Sequence, residues 1–322
     1  MSIPLPLLDQ VPTQAQIEQI HHQIAAWVPP TPVLNFHFLD RELGCSIHFK
    51  CEQFHEIGAF KLRGATSAAL ALDESARSKG IATHSSGNHA QATACIAQRL
   101  GIPAYIVMPS NAPKVKIEAT RRFGAEITFC EPTQQARESA LAEICARTGA
   151  YFIHPYNNYN VIAGQATAVK ELLEQVPDLD VVITPVGGGG LLSGTALWNH
   201  YLGRPVNVLG AEPVAVNDAW RSFHSGKIES NASTDTLADG LKTTLGEYTF
   251  ALIRQFVQDI ITVSEQEMIE GMSVLWKRAK LVVEPSGAVP FAAILRDPAP
   301  FSGQRIGVVL SGGNVDLDHL PF

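Results

Sequence analysis

Three short runs, residues 181–186 (VVITPV), 206–211 (VNVLGA) and 305–310 (RIGVVL), are apolar along their length rather than at alternate positions. A strand wet on one face alternates; a strand covered on both faces has no need to. Two further runs, at 104–108 (AYIVM) and 126–130 (EITFC), read as buried strands. Segments with helical spacing fall between and around them, at 65–72, 91–100, 114–122, 136–147, 164–175, 191–202 and 264–280. This alternation predicts an α/β fold with mostly parallel sheets. The chain has 322 residues, and at roughly 150 residues per domain that predicts two domains, each with its own sheet. Ligands of such sheets sit beyond the C-terminal ends of the strands, so the loops there are the places to look for chemistry.

Composition narrows the function classes. The chain carries 24 basic and 31 acidic residues, a net charge of −7. That balance gives no general attraction to phosphate backbones, so no nucleic-acid partner is expected. No apolar run approaches the roughly 18 residues of a membrane span. The opening MSIPLPLLDQVPTQ has no basic segment leading into an apolar one, so no secretion signal and no membrane association are expected. The five cysteines, Cys45, Cys51, Cys95, Cys130 and Cys145, include no C-x-x-C pair. They read as small buried hydrophobes in a reducing, cytoplasmic setting. Eleven histidines invite a metal reading, but no H-E-x-x-H is present.

Four loops stand out. Val186 is followed by Gly187, Gly188, Gly189, Gly190 and Leu191, between a strand and a helix. Four unhindered backbone N–H groups at a helix N-terminus suit a phosphate; the plainer alternative is a tight turn for close packing. No Lys-Ser/Thr pair follows, so this is not a nucleotide P-loop. The dinucleotide G-x-G-x-x-G pattern fails at Ser193, although a looser form ending at Gly194, with Glu212 on a ribose, survives on pattern alone. In the second loop, residues 83–90 (THSSGNHA), so many polar side chains before a helix suit a substrate carboxylate; Ser85, Ser86 and Asn88 are also natural N-caps. The third, 58–65 (GAFKLRGA), puts Lys61 beside Phe60 among small residues. Desolvation there would lower its pKa and suit imine formation, although a lone lysine is usually a surface residue. The fourth, Leu310 to Asn314 (LSGGN), follows the last strand and lets a flat ligand approach, or is simply a strand-end turn.

Together the loops resemble the fold-type-II pyridoxal-phosphate enzymes, the serine/threonine dehydratase and serine racemase family, with a tryptophan synthase β-like architecture. Eight segments carry the resemblance in order: 49–65 (FKCEQFHEIGAFKLRGA), 85–92 (SSGNHAQA), 130–140 (CEPTQQARESA), 154–165 (HPYNNYNVIAGQ), 186–194 (VGGGGLLSG), 237–243 (LADGLKT), 282–289 (VVEPSGAV) and 310–317 (LSGGNVDL). The dinucleotide alternative leaves Lys61 and Ser311 unexplained.

The resemblance implies a large cofactor-binding domain of residues 1–79 and 156–322, a small mobile domain of 80–155, and a homodimer. It implies pyridoxal 5'-phosphate bound through Lys61, which then moves the Cα proton. Phe60 lies beside the cofactor. Gly187 to Gly190 with Leu191 form the phosphate cup, Asn88 meets the 3'-oxygen and Ser311 faces the pyridine nitrogen. Ser85, Asn88 and His89 hold the substrate carboxylate, Arg137 reaches toward substrate, and Ser86 is the proton carrier on the opposite face. Glu212, Asp218 and the carbonyl of Val216 match a site for Mg²⁺, or Ca²⁺ or Mn²⁺; without the resemblance the two acids would be ordinary loop residues.

The expected activity is β-elimination from L-serine or L-threonine to a 2-oxo acid and ammonia, with serine racemisation as a second chemistry of the same site. A neutral Ser311 hydroxyl cannot hold the ring nitrogen protonated by charge, which favours fast loss of a β-leaving group. Several positions depart from the pattern. Ala59 stands where many dehydratases have Ser, and Tyr156 where animal serine racemases have Asn, so Tyr156 is not assigned as a ligand. Ala59 and the HPYNN segment point to a 3-hydroxyaspartate dehydratase as the alternative, with Arg137 on the distal carboxylate. A β-replacement synthase fits less well, given LADGLKT and the Glu212/Asp218 pair, and an amino-acid sensor would not need Lys61. Eight residues follow Asn314, so no C-terminal regulatory extension is expected.

Overall fold

The computed structural model describes residues 10–322. Most of the opening stretch read for a secretion signal, residues 1–9, lies outside the described residues. Among the described residues ten strands form two sheets: β1 (Val33–Asn35), β2 (Ser46–Cys51), β3 (Ile81–His84), β4 (Ala104–Pro109), β5 (Glu126–Cys130), β6 (Tyr151–Phe152), β7 (Val181–Pro185), β8 (Asn207–Pro213), β9 (Asp259–Val263) and β10 (Arg305–Leu310). The larger sheet runs β1-β2-β10-β7-β8-β9 and the smaller β5-β4-β3-β6. Every pairing is parallel except β1 with β2. The α/β class expected from the apolar runs is therefore the observed one.

The reason lies in burial. Every residue of β7 is buried, and so are five of the six in β10. Val308 of β10 aligns with Phe49 on one side and Ile183 on the other, and the Phe49 ring packs edge-on against Phe291 at 5.5 Å. Helices Pro285–Arg296 and Glu265–Val274 cover one face of this sheet, while Tyr159–Gln175 and Gly190–Leu202 supply most of a second apolar cluster.

Three sequence expectations need correction. The 126–130 strand is an edge strand in which none of the five residues is fully buried; Phe129 is 46% exposed. The helix expected over 264–280 is α-helical only to Val274 and continues as a π-helical turn, Leu275–Ala279, ending at Lys280 with a left-handed φ of 61°. Of the cysteines, Cys45, Cys51 and Cys95 are buried, but Cys130 and Cys145 are only half-buried; all five are free thiols. No described helix is long and apolar enough to cross a membrane.

Candidate active site

The C-terminal ends of β10, β7 and β3 open toward one another. After β10, Ser311 is buried and its carbonyl accepts from the Phe60 N–H at 3.0 Å, while Ala59 bridges to Gly312. This backbone splice fixes the start of helix Lys61–Leu70 against the end of the central strand. Lys61 is the first residue of that helix and is half-buried. Its Nζ donates to the Pro155 carbonyl at 2.8 Å and lies 5.1 Å from the centre of the Phe60 ring. Burial pulls the ammonium down to about 8, with the Glu284 carboxylate opposing. An amine in that range is available as a nucleophile and as a proton acceptor near neutrality.

After β7, the chain passes through four glycines into helix Gly190–Leu202. Gly189 has a φ of +87°, open to glycine. A Cβ on Gly188 would lie 2.3 Å from the Tyr156 ring, and one on Gly187 would lie 2.9 Å from the backbone of Leu241. The first turn of a helix leaves its N–H groups without intrahelical partners, so the loop is a close-packed cradle of donors shaped for an anion. Leu241 belongs to LADGLKT, whose Gly240 N–H is held by the Ser286 hydroxyl at 3.0 Å. Tyr156, left unassigned in the sequence, forms one wall of the cradle.

After β3, the turn at 85–87 leads into helix Asn88–Leu100. Gly87 occupies the N-cap position with no side-chain cap, and the Ser85 hydroxyl accepts from the Gly87 N–H at 3.3 Å. Ser86 is therefore not the helix cap. His89 is buried; its Nε2 lies 3.0 Å from the Ile153 carbonyl, and its Nδ1 has no partner among the described residues. Burial, then the charges of Lys61, His154 and His84, hold this imidazole down to about 3. A neutral ring donating through Nε2 presents a bare lone pair at Nδ1, which cannot grip a carboxylate. What position 89 offers an anion is its backbone N–H at the helix start.

Asn88 is committed to a polar chain. Its Nδ2 donates to Glu284 at 2.8 Å, and its Oδ1 accepts from Asn314 Nδ2 at 2.9 Å. One Nδ2 hydrogen remains for a ligand. Burial lifts Glu284 to about 7, against the pull of Lys116 and the Asn88 and Asn314 hydrogen bonds. Glu284 and Lys116 were not singled out in the sequence. Lys116, on helix Lys114–Arg121, pairs with Asp239 of LADGLKT and so joins the smaller sheet's side of the cleft to the larger's. LADGLKT and VVEPSGAV marked these neighbourhoods, but the sequence held no sign that they meet.

Arg137 is half-buried on helix Gln134–Thr148, with its Nε shielded and unpartnered among the described residues. Its charge helps burial depress His84, and burial, His84 and Lys61 together hold His154 down to about 4. The His154 Nδ1 accepts from the N–H groups of Tyr156 and Asn157 at 3.2 and 2.9 Å, so a neutral ring carries its proton on Nε2.

Glu212 near the end of β8, Asp218 at the start of helix Asp218–Ser225 and Val216 between them are all buried. Glu212 accepts from the N–H of Trp220 at 2.5 Å and of Ala219 at 3.3 Å. Asp218 accepts from Asn231 on one oxygen, and its Oδ2 has no partner among the described residues. Burial lifts Asp218 to about 6 and Glu212 well above the ordinary range. Two buried carboxyls and an orphaned oxygen are a hard-oxygen donor set that fits a divalent cation completed by carbonyls and water; no cluster of three or more His, Cys, Asp or Glu gathers among the described residues.

The chain is 45% identical over 312 residues to a beta-hydroxyaspartate dehydratase of Paracoccus denitrificans, covering 97% of this chain and 99% of the relative. It is 46% identical over 308 residues to an L-threo-3-hydroxyaspartate ammonia-lyase of Saccharomyces cerevisiae, covering 95% and 94%. The solved structure of maize serine racemase superposes with a TM-score of 0.92 at 42% identity, over 94% of this chain and 93% of that one. A family model described as pyridoxal-phosphate dependent enzyme matches residues 24–312, and the chain, with its glycine cradle, its lysine and its two sheets, belongs to that family, among the fold-type-II enzymes.

Proposed function

We propose that the protein eliminates water from a hydroxyamino acid, and that Lys61 moves the Cα proton. The observation that carries this reading is the Lys61 amine, drawn down to about 8 between a glycine cradle on one side and a polar helix start on the other. Pyridoxal phosphate, when bound, supplies the electron sink. Gly187, Gly188, Gly189, Gly190 and Leu191 would hold its phosphate, Asn88 its 3'-oxygen and Ser311 its ring nitrogen, with Phe60 alongside. The Ser85 hydroxyl and the N–H groups at the start of helix Asn88–Leu100 would hold the substrate carboxylate. Lys61 takes the Cα proton, the Cβ–O bond breaks, and the departing hydroxide takes up the proton that Lys61 has just gained and leaves as water. The enamine released hydrolyses to a 2-oxo acid and ammonia.

The Arg137 charge favours 3-hydroxyaspartate ahead of serine and threonine. The guanidinium lies near His84, whose own proton affinity burial and Arg137 both lower, and its shielded unpartnered N–H suits a second carboxylate. The names of the Paracoccus and Saccharomyces relatives support the same choice. Ser86, freed from capping, is the proton carrier on the face opposite Lys61, which would give the site racemase activity. A divalent cation on Glu212, Asp218 and the Val216 carbonyl would stabilise the loops behind the cradle.

The test is release of 2-oxo acid from L-serine, L-threonine and the 3-hydroxyaspartate isomers, with enantiomer analysis of residual substrate. Borohydride reduction of the holoenzyme should label Lys61, and Lys61→Ala should lower turnover by at least about 10,000-fold, the upper range for a general acid–base group. Label on another lysine would overturn the assignment. Equal kcat/KM for serine and 3-hydroxyaspartate would overturn the substrate choice.

A further inference from the structure

Two residues beyond Lys61, the same helix carries Arg63, which is fully buried. Its Nε and Nη2 donate to the two oxygens of Glu52 at 2.7 and 2.9 Å. Its Nη1 and Nη2 donate to the two oxygens of Glu171 at 2.7 Å each, and Nη1 also reaches the Thr167 hydroxyl at 3.0 Å. Five bonds occupy all five N–H donors of a guanidinium. Lys50, also fully buried, donates to Glu171 at 2.7 Å and to the Thr31 carbonyl at 2.8 Å. The Thr31 hydroxyl donates to Glu52 at 2.7 Å, and His55 and His21 approach Glu52 and Glu171 at 3.2 and 3.4 Å. Two fixed cations thus face two carboxylates inside the protein.

Stability is a poor reason for such a cluster. Taking four charges out of water costs as much as their attraction returns, and apolar residues of equal volume commonly serve a fold as well. What a forked, fully satisfied cluster provides is one geometry. This one ties three elements: β2 through Lys50, with the 3-10 turn just after it through Glu52, helix Lys61–Leu70 through Arg63, and helix Tyr159–Gln175 through Glu171. The two helices already touch backbone to backbone, since a Cβ on Gly164 would lie 2.6 Å from the Arg63 carbonyl and 2.7 Å from the Cα of Gly64. Such a smooth contact sets a distance but lets one helix slide or rotate along the other. Lys61 projects from the first residue of this helix and spans to the Pro155 carbonyl, just before the second.

We propose that Arg63 is a positioning residue for Lys61: its fork onto Glu52 and Glu171 fixes the rotation and register of the lysine helix, and so the place of the Lys61 amine at the cradle. This rests on the reading of Lys61 as the cofactor-bound, proton-moving lysine. Misplacement by an ångström costs on the order of 100-fold in reactions that depend on alignment, so the consequence falls on the proton-transfer step.

The experiment uses the holoenzyme with two variants, Arg63→Lys, which keeps the charge and loses the fork, and Glu171→Gln, which keeps shape and removes one charge. Three quantities are read: kcat and KM per bound cofactor, the pH midpoint of the cofactor absorbance band, and the rate of solvent-deuterium incorporation at Cα of a substrate analogue lacking the leaving group. The expected result is a kcat and an exchange rate lowered by about 30- to 100-fold, KM within about threefold, and a displaced midpoint, with Glu171→Gln the milder. Should Arg63→Lys fail to fold, Glu171→Gln decides. Variants that lose melting temperature but keep the wild-type midpoint, exchange rate and kcat per cofactor would overturn the proposal. Wild-type enzyme without a reducible adduct at Lys61 would instead overturn the functional reading beneath it.

Discussion

The two loops proposed as anion seats are built to the same plan, a strand end, a turn and a helix N-terminus, and they differ in how tightly they are made. Around the cradle after β7 every residue from 181 to 199 is buried, and a side chain on any of the four loop glycines would crowd the tyrosine, leucine or threonine beside it. The turn after β3 is half-buried from 84 to 88, and a Cβ on Gly87 would meet nothing within 4 Å. A dry, close-packed seat suits a group that stays; a looser one suits a substrate that must enter and leave. The comparison also separates the glycines. Those of the cradle are there for space and, at Gly189, for a left-handed φ; Gly87 has neither constraint.

One pair of variants separates the seats directly. Gly188→Ala should weaken cofactor retention by about 10- to 100-fold, the equivalent of 1–3 kcal/mol of overpacking. Gly87→Ala should change it by about twofold at most, as for substitutions into open space. Equilibrium dialysis of the cofactor reads both, and equal losses would erase the distinction. Next comes Ser86→Ala. It should cut inversion at Cα by about 100-fold, the lower range for a proton carrier, while elimination from the L-substrate falls far less. Pyruvate and enantiomer ratio from L- and D-serine measure the two separately, and a common loss tracking melting temperature would return Ser86 to a structural role.

Smaller effects sharpen the contrast. Saturating Mg²⁺ should raise the melting temperature of chelated protein by about 5 °C through ligand linkage, and Asp218→Asn should abolish the rise. Differential scanning fluorimetry suffices, and an unchanged melting temperature would remove the cation from behind the cradle. The buried imidazoles of the cleft should in turn make the fold acid-sensitive. His89 and His154 are held down to about 3 and 4 by burial, so below the ordinary imidazole value the unfolded chain binds protons that the fold refuses. Stability contributed by the neutral rings is full at neutral pH and is lost as pH falls from about 6.5 toward 4. His154→Gln should flatten that slope in urea titrations; an unaltered slope would mean that other groups set it.

Much of this was legible in the sequence because the strands that matter are buried on both faces. The VVITP and RIGVVL runs could be little else, and the four glycines between a strand and a helix announced the cradle. Short strands were not legible: β1 has three residues, β6 has two, and the four-residue IATH of β3 reads as the lead-in to a polar loop. Helix Pro285–Arg296 was hidden by its prolines, since Pro285 is acceptable at a helix start but Pro290 reads as a break. Lys61 could be suspected from its small neighbours. The partners of Arg63 could not, because Glu52 and Glu171 lie 119 residues apart and only the packed helices bring them together. Glu284 and Lys116 were missed for the same reason, as one acid and one lysine among 55 charged residues.

The strand order of the larger sheet bears on how the protein is made. The last strand, β10, does not join at an edge; it lies between β2 and β7. As the chain leaves the ribosome, β2 and β7 are complete long before residues 305–310 exist, and each must wait with a face of unpaired backbone groups. Ser311 and the Phe60 contact that seats the lysine helix form only when that gap is filled. Newly made chains therefore pass through a long interval with two exposed strand edges at the centre of the future sheet, the arrangement most open to mispairing between chains. A chain stopped short of residue 305 would carry those edges permanently.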